Sequence, residues 1–73
     1  MVNVVHIHTP YITLGQLLKL VGAIDTGGQA KWFLAEYPVL VNGEAEQRRG
    51  RKLYPDDVVH IDGAGQFKIV QDS

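Results

Sequence analysis

The chain contains no cysteine, which rules out both a disulfide framework and a thiolate for metal binding or nucleophilic attack. Its single serine is Ser73, the last residue, a poor place for a serine nucleophile that needs a histidine and a carboxylate behind it. Long apolar runs are missing as well. Nothing approaches the roughly 20 residues that span a bilayer, and residues 1–8 lack the cationic start and long apolar run of a secretory signal. These absences point to a soluble protein of the cytoplasm. A chain of 73 residues forms one domain and buries only about 60% of its unfolded surface, so the core is small and nothing covalent reinforces it. Only the end, from about Gln71, reads as disordered.

Positive charge is scarce overall but concentrated. Seven Lys and Arg stand against eight Asp and Glu, for a formal charge of -1, yet four of the seven occupy Arg48, Arg49, Arg51 and Lys52. No acid interrupts positions 47–52, whereas a merely solvated loop usually mixes signs. A protein built this way creates a local field suited to a polyanion.

Residues 2–8 are apolar and β-branched, with Val5 and Ile7 on one face of a strand and Val4, His6 and His8 on the other. Thr9, Pro10 and Tyr11 interrupt it. Thr13 and Gln16 then form a Thr-x-x-Gln capping box, and Leu14, Leu17, Leu18 and Val21 make one apolar helical stripe. Gly22 suits the left-handed position that closes such a helix. The signature returns as Thr26 to Gln29, with Ala30, Phe33, Leu34 and Tyr37 as the second stripe and Pro38 as the stop. Two short helices should pack as a pair.

A hairpin follows, with Asn42 and Gly43 supplying the two positive φ values of a type I′ turn. After the basic loop, Pro55, Asp56 and Asp57 make a turn, and strands over 58–62 and 66–70 flank a flexible Gly63-Ala64-Gly65 turn. Alternation leaves open whether Val59 and Ile61 or Val58 and His60 face inward. The fold class is α+β: two packed helices on one face of a small, mostly antiparallel sheet of about five short strands.

Two segments carry anion-binding chemistry. The loop guanidinium groups can grip phosphate oxygens in pairs. At the second helix, free amides and the helix dipole favour an anion, Gly27 and Gly28 let it approach the backbone, and Lys31 lies one turn along. Trp32 falls off the core stripe; it could stack on a base, but burial under a terminal strand is the expectation for a lone tryptophan. His6, His8 and His60 lack the acidic or thiolate company of a metal site, so no metal and no cofactor is expected. No set of residues carries a signature of catalysis.

Three runs, ITLGQLLKLVG, TGGQAKWFLAEYPVLVNGE and RRGRKLYPDDVVHI, stand in an order and spacing similar to the S4 RNA-binding domain, over residues 12–62. The chain resembles in particular the small stand-alone bacterial members of the YaaA and YbcJ kind. The resemblance implies a single S4-like domain over 1–73 and an RNA-facing surface made of Gly27, Gly28, Gln29 and Lys31 together with Arg48, Arg49, Arg51 and Lys52. Many S4 domains carry an arginine-rich segment where this chain has Thr26, Gly27 and Gly28, and a glycine at the position of Asp56. The resemblance implies a non-enzymatic protein whose partner is structured RNA, ribosomal RNA included, gripped by its phosphates, with Trp32 or Gln29 adding a sugar or base contact. The hairpin would act as the spacer between helix start and arginine loop. Two alternatives belong to another class. One is a protein-interaction adaptor. The other is a β-grasp carrier, although such carriers are activated at a terminal Gly-Gly and this sequence reads Gln71, Asp72, Ser73 at its end.

Overall fold

A computed structural model describes residues 2–72. The elements run β1 (Val2–Ile7), β2 (Ile12–Thr13), α1 (Leu14–Leu20), a single 3-10 turn (Gly27–Gln29), α2 (Ala30–Glu36), β3 (Val39–Val41), β4 (Glu44–Ala45), β5 (Lys52–Leu53), β6 (Val58–Ile61) and β7 (Gly65–Gln71). Five strands form one sheet in the order β1-β7-β6-β3-β4, antiparallel except for the parallel β1–β7 pair. The expected α+β architecture is therefore present. A second, two-stranded ladder, β2 with β5, is too short to leave any periodicity in the sequence.

Helix α1 forms as its residues dictate. The Thr13 hydroxyl accepts from the Gln16 amide (3.2 Å) and the Gln16 side chain accepts from the Thr13 amide (2.8 Å), completing the capping box. At the other end Gly22 takes φ +79°. The amides of Gly22 and Ala23 bond back to the carbonyls of Lys19 (3.1 Å) and Leu18 (2.9 Å), a Schellman closure. Leu14, Leu17 and Leu18 are fully buried, and the core is completed by Ile7, Ile24, Leu34, Leu53 and the inward residues of the sheet. Val59 and Ile61 are the inward pair on β6, which resolves the choice that alternation left open.

The second helix departs from its expected form. Gly27–Gln29 is a separate 3-10 turn, and α2 proper begins at Ala30. Two glycines in succession cost about 1 kcal/mol each in an α-helix, so the first turn tightens instead of extending the helix. Of the predicted stripe, Ala30 and Leu34 are buried and Phe33 is half-buried, but Tyr37 lies past the helix end and is exposed, stacked on Phe33 with ring centroids 4.9 Å apart.

The C-terminal expectation is also corrected. Gln71 closes β7 opposite Ile7, the Asp72 amide donates to the Ile7 carbonyl (2.9 Å), and the Asp72 carboxylate meets His6 Nδ1 at 2.8 Å. Order persists through residue 72 because the parallel pairing to β1 supplies ladder partners that local composition cannot reveal. Ser73 lies outside the described residues.

The β3–β4 hairpin turns through Asn42 (φ +53°) and Gly43 (φ +85°), as expected for a type I′ turn. Asn42 does more than turn the chain. Its side-chain amide donates to Asp57 (3.0 Å) and its side-chain oxygen accepts from the Val58 amide (3.0 Å), while the other Asp57 oxygen accepts from the Tyr54 amide (2.8 Å). The hairpin tip and the 54–57 turn are thus bolted together. Asp56, within that turn, sits at φ +78°, a conformation that explains why glycine suits the position. Replacing Asp57 with alanine removes two acceptors at once and should lower stability by ~1–2 kcal/mol. The check is a urea titration, in which the midpoint falls at unchanged slope.

Candidate nucleic-acid interface

The basic loop is organised by the acid that precedes it. Glu46 is the one buried charged residue among those described, only 8% exposed. Its amide donates to the Val39 carbonyl (2.9 Å), which fixes it to β3. Its carboxylate accepts from the Gln47 and Arg48 amides (3.1 and 3.2 Å), from Arg48 Nε and Nη2 (both 3.0 Å) and from Arg51 Nη1 (2.8 Å). The Arg48 side-chain bonds, followed by that of Arg51, hold the Glu46 carboxyl far below the usual carboxylate range despite the opposing effect of burial. The same contact pushes the Arg48 guanidinium up.

Two of the four loop cations are therefore bound within the protein. Arg51 is only half-exposed, whereas Arg48 keeps much of its side chain in solvent. Lys52 sits in β5 with its ammonium 5.0 Å from the centre of the Tyr11 ring, a cation–π contact. Arg49, exposed at the loop tip, makes no ion pair among the described residues.

The loop is positioned against α1. The Leu14 amide donates to the Arg51 carbonyl and the Gly15 amide to the Arg49 carbonyl, both at 2.8 Å, so the first helix amides are satisfied by the loop backbone. A Cβ at Gly15 would lie 3.4 Å from the Arg49 carbonyl oxygen and 3.7 Å from the Ala30 Cβ, ordinary van der Waals contact, so the loop backbone packs directly on this turn of α1. The hairpin holds the start of the loop through the Glu46–Val39 bond, and α1 supports the loop directly.

This packing creates an open pocket of about 460 Å³, lined by Thr13, Gln16, Lys19, Gly27, Arg49 and Gly50 among others. The Gly27 backbone and the basic loop, 20 residues and more apart in sequence, both line it. Lys19 adds a second exposed cation with no ion pair among the described residues.

A family model for the S4 domain matches residues 5–70. The chain belongs to the S4 domain family. RlbA of Bacillus subtilis, named a probable ribosome maturation protein, is 59% identical over 70 residues, which cover 96% of this chain and 99% of that protein. YbcJ of Escherichia coli, provisionally named an RNA-binding protein, is 39% identical over 54 residues, covering 74% of this chain and 77% of that protein. S4 membership and the observed sheet order leave the β-grasp carrier without support.

Other sequence-predicted members of the S4 surface have different surroundings from those expected. Gln29 Oε1 accepts from the Asp25 amide (2.6 Å) and the Thr26 amide (3.1 Å), so its side chain caps the turn. Gly28 and Lys31 are exposed but do not line the pocket. Trp32 is 75% exposed, against the expectation of burial, because both terminal strands pair with each other in the sheet and α2 packs through Ala30 and Leu34. Its neighbours are Asp25, Gln29, Phe33 and Glu36, in a groove separate from the cationic pocket.

Gly15 and Lys19 do not stand out in the sequence, and Gln16 does so only as part of the capping box of α1; all three line the pocket. Tyr11 and Tyr54, two exposed aromatics with centroids 5.7 Å apart, do not stand out either. Tyr54 joins Arg48, Gly50, Arg51 and Lys52 around a second shallow depression. Alternation along Lys52, Leu53 and Tyr54, with Leu53 fully buried, was the available signal.

The Glu46 contact makes stability pH-dependent in a defined sense. Its folded-state value lies well below the ordinary 4.5 of the unfolded chain, so the unfolded chain takes up a proton first as pH falls. The contribution is complete above that value and declines below it, toward the depressed folded-state value. Glu46→Gln should cost ~1–2 kcal/mol at neutral pH, and the wild-type advantage over the variant should shrink on acidification. Thermal midpoints measured for both proteins from pH 7 to pH 3 test this; parallel curves would show that Glu46 is not the linkage group.

Proposed function

We propose that this S4 protein is a non-enzymatic RNA-binding protein of the cytoplasm that recognises structured RNA by the position of its phosphates. The observation that carries the reading is the pocket where Lys19 and Arg49, neither in an ion pair among the described residues, converge beside the Gly27 backbone. Cations with no internal counterion are the ones that release ions from a phosphate backbone on binding. The name of the Bacillus relative supports ribosomal RNA, or its precursors, as the class of partner, and that of the Escherichia relative supports RNA in general.

Within the proposal the cations divide their labour. Arg49 and Lys19 meet phosphates in the pocket, and Lys52 and the exposed part of Arg48 meet them on the adjoining surface. Arg51 holds the loop in shape. Tyr54 and Tyr11 offer stacking faces beside this track, a role for which aromatic side chains are common in RNA recognition. Gly27 and Gly28 contribute close backbone approach. The helix dipole contributes little there, since a lone 3-10 turn precedes only seven α-helical residues. Lys31 adds to the general field from the exposed side of α2.

About four neutralised phosphates give a slope of log affinity against log salt of roughly -3 to -4, at 0.7 to 0.9 per phosphate. Fluorescence anisotropy with a labelled RNA hairpin measures it, and a slope near zero would sink the proposal. Arg49→Glu should weaken binding at least about tenfold with an unchanged thermal midpoint, since it reverses a charge facing phosphate. Arg51→Ala should lower the thermal midpoint as well as the affinity, because its partner is the buried Glu46.

A further inference from the structure

The exposed side of α2 carries a feature that phosphate binding does not use. Trp32, Phe33 and Tyr37 line a groove of about 570 Å³ with Asp25, Gln29 and Glu36. Its aromatic part is extensive for so small a domain: Trp32 is 75% exposed, Tyr37 is 46% exposed, and Phe33 stacks on Tyr37 at 4.9 Å. An exposed aromatic cluster rimmed by polar groups is the surface signature of an interaction site.

The charges at the groove select its occupant. Asp25 and Glu36 are both exposed, and among the described residues neither carboxylate makes an ion pair. Two unneutralised acids repel phosphate and attract cations, and the faces of tryptophan and tyrosine attract the same groups through their quadrupoles. The groove shares no lining residue with the cationic pocket, so the two faces sort opposite charges. Its wall is also set in advance, since Gln29 Oε1 ties down the Asp25 and Thr26 amides.

We infer that this groove docks a cationic protein segment, with an arginine or lysine side chain laid on Trp32 and paired with Asp25 and Glu36. Arginine fits better than lysine, because its planar guanidinium stacks on an aromatic face while still donating to a carboxylate. The protein would then bridge two partners, holding RNA on its basic face and a basic protein segment on α2.

Trp32 is the only tryptophan in the chain, so its fluorescence reports on the groove directly. The probe is a blocked peptide of alternating arginine and glycine, with a peptide of alternating glutamate and glycine as control. A saturable change in Trp32 emission is expected with the arginine peptide and none with the glutamate peptide. The double variant Asp25→Asn, Glu36→Gln should weaken the response about tenfold, while its affinity for an RNA hairpin does not fall. Both positions are exposed, so the variant folds, and Arg49→Glu should leave the peptide response in place. The inference is overturned if no saturable change appears at millimolar peptide, or if the double variant responds like the wild type. It is equally overturned if the RNA hairpin, and not the peptide, produces the Trp32 change in the presence of Arg49→Glu.

Discussion

The buried carboxylate of Glu46 is the contact on which the geometry of the basic surface depends. Four cations within five positions repel one another, and a free loop of that composition would extend and wander. Glu46 removes the problem by accepting from both Arg48 and Arg51 while its own amide is fixed to the Val39 carbonyl of the sheet. The loop carbonyls then reach the first amides of α1. Sheet, carboxylate, loop and helix form one continuous chain of hydrogen bonds, and the cationic pocket lies where the loop meets α1.

That arrangement separates structural cations from available ones. Arg51 is drawn partly inward and Arg48 is tethered by two of its nitrogens, while Arg49, at the tip between them, remains without an ion-pair partner among the described residues. A protein of formal charge -1 can still present a positive face in this way, because fields at physiological salt decay within about 8 Å and only the nearest charges matter to a bound phosphate. Asp25 and Glu36, two acids that make no ion pair among the described residues, line a different groove.

The framework of this fold was readable because its determinants are local. Thr13 and Gln16 cap α1, Gly22 closes it, and Asn42-Gly43 turns the hairpin, each through bonds or dihedral angles confined to a few neighbouring residues. The site was readable only in part. Arg49 and Gly27 stood out by residue type, and they do line one pocket. Lys19, Gly15 and Tyr54 did not stand out, since a lysine on the polar side of a helix and a tyrosine after a buried leucine are unremarkable until the chain folds. Trp32 was misread because the strand expected to cover it is paired elsewhere.

By itself the sequence determined the caps of α1, the hairpin turn, the strands of the main sheet, the alternation of faces along them, and the concentration of positive charge in one loop. Tertiary structure decided the parallel pairing of β1 with β7, the burial of Glu46 and hence which arginines remain available, and the meeting of α1 with the loop that makes a pocket. The division has one cause. Capping, turn chemistry and hydrophobic period act over a few residues, whereas ladder partners, ion pairs and close backbone approach depend on segments that only packing brings together.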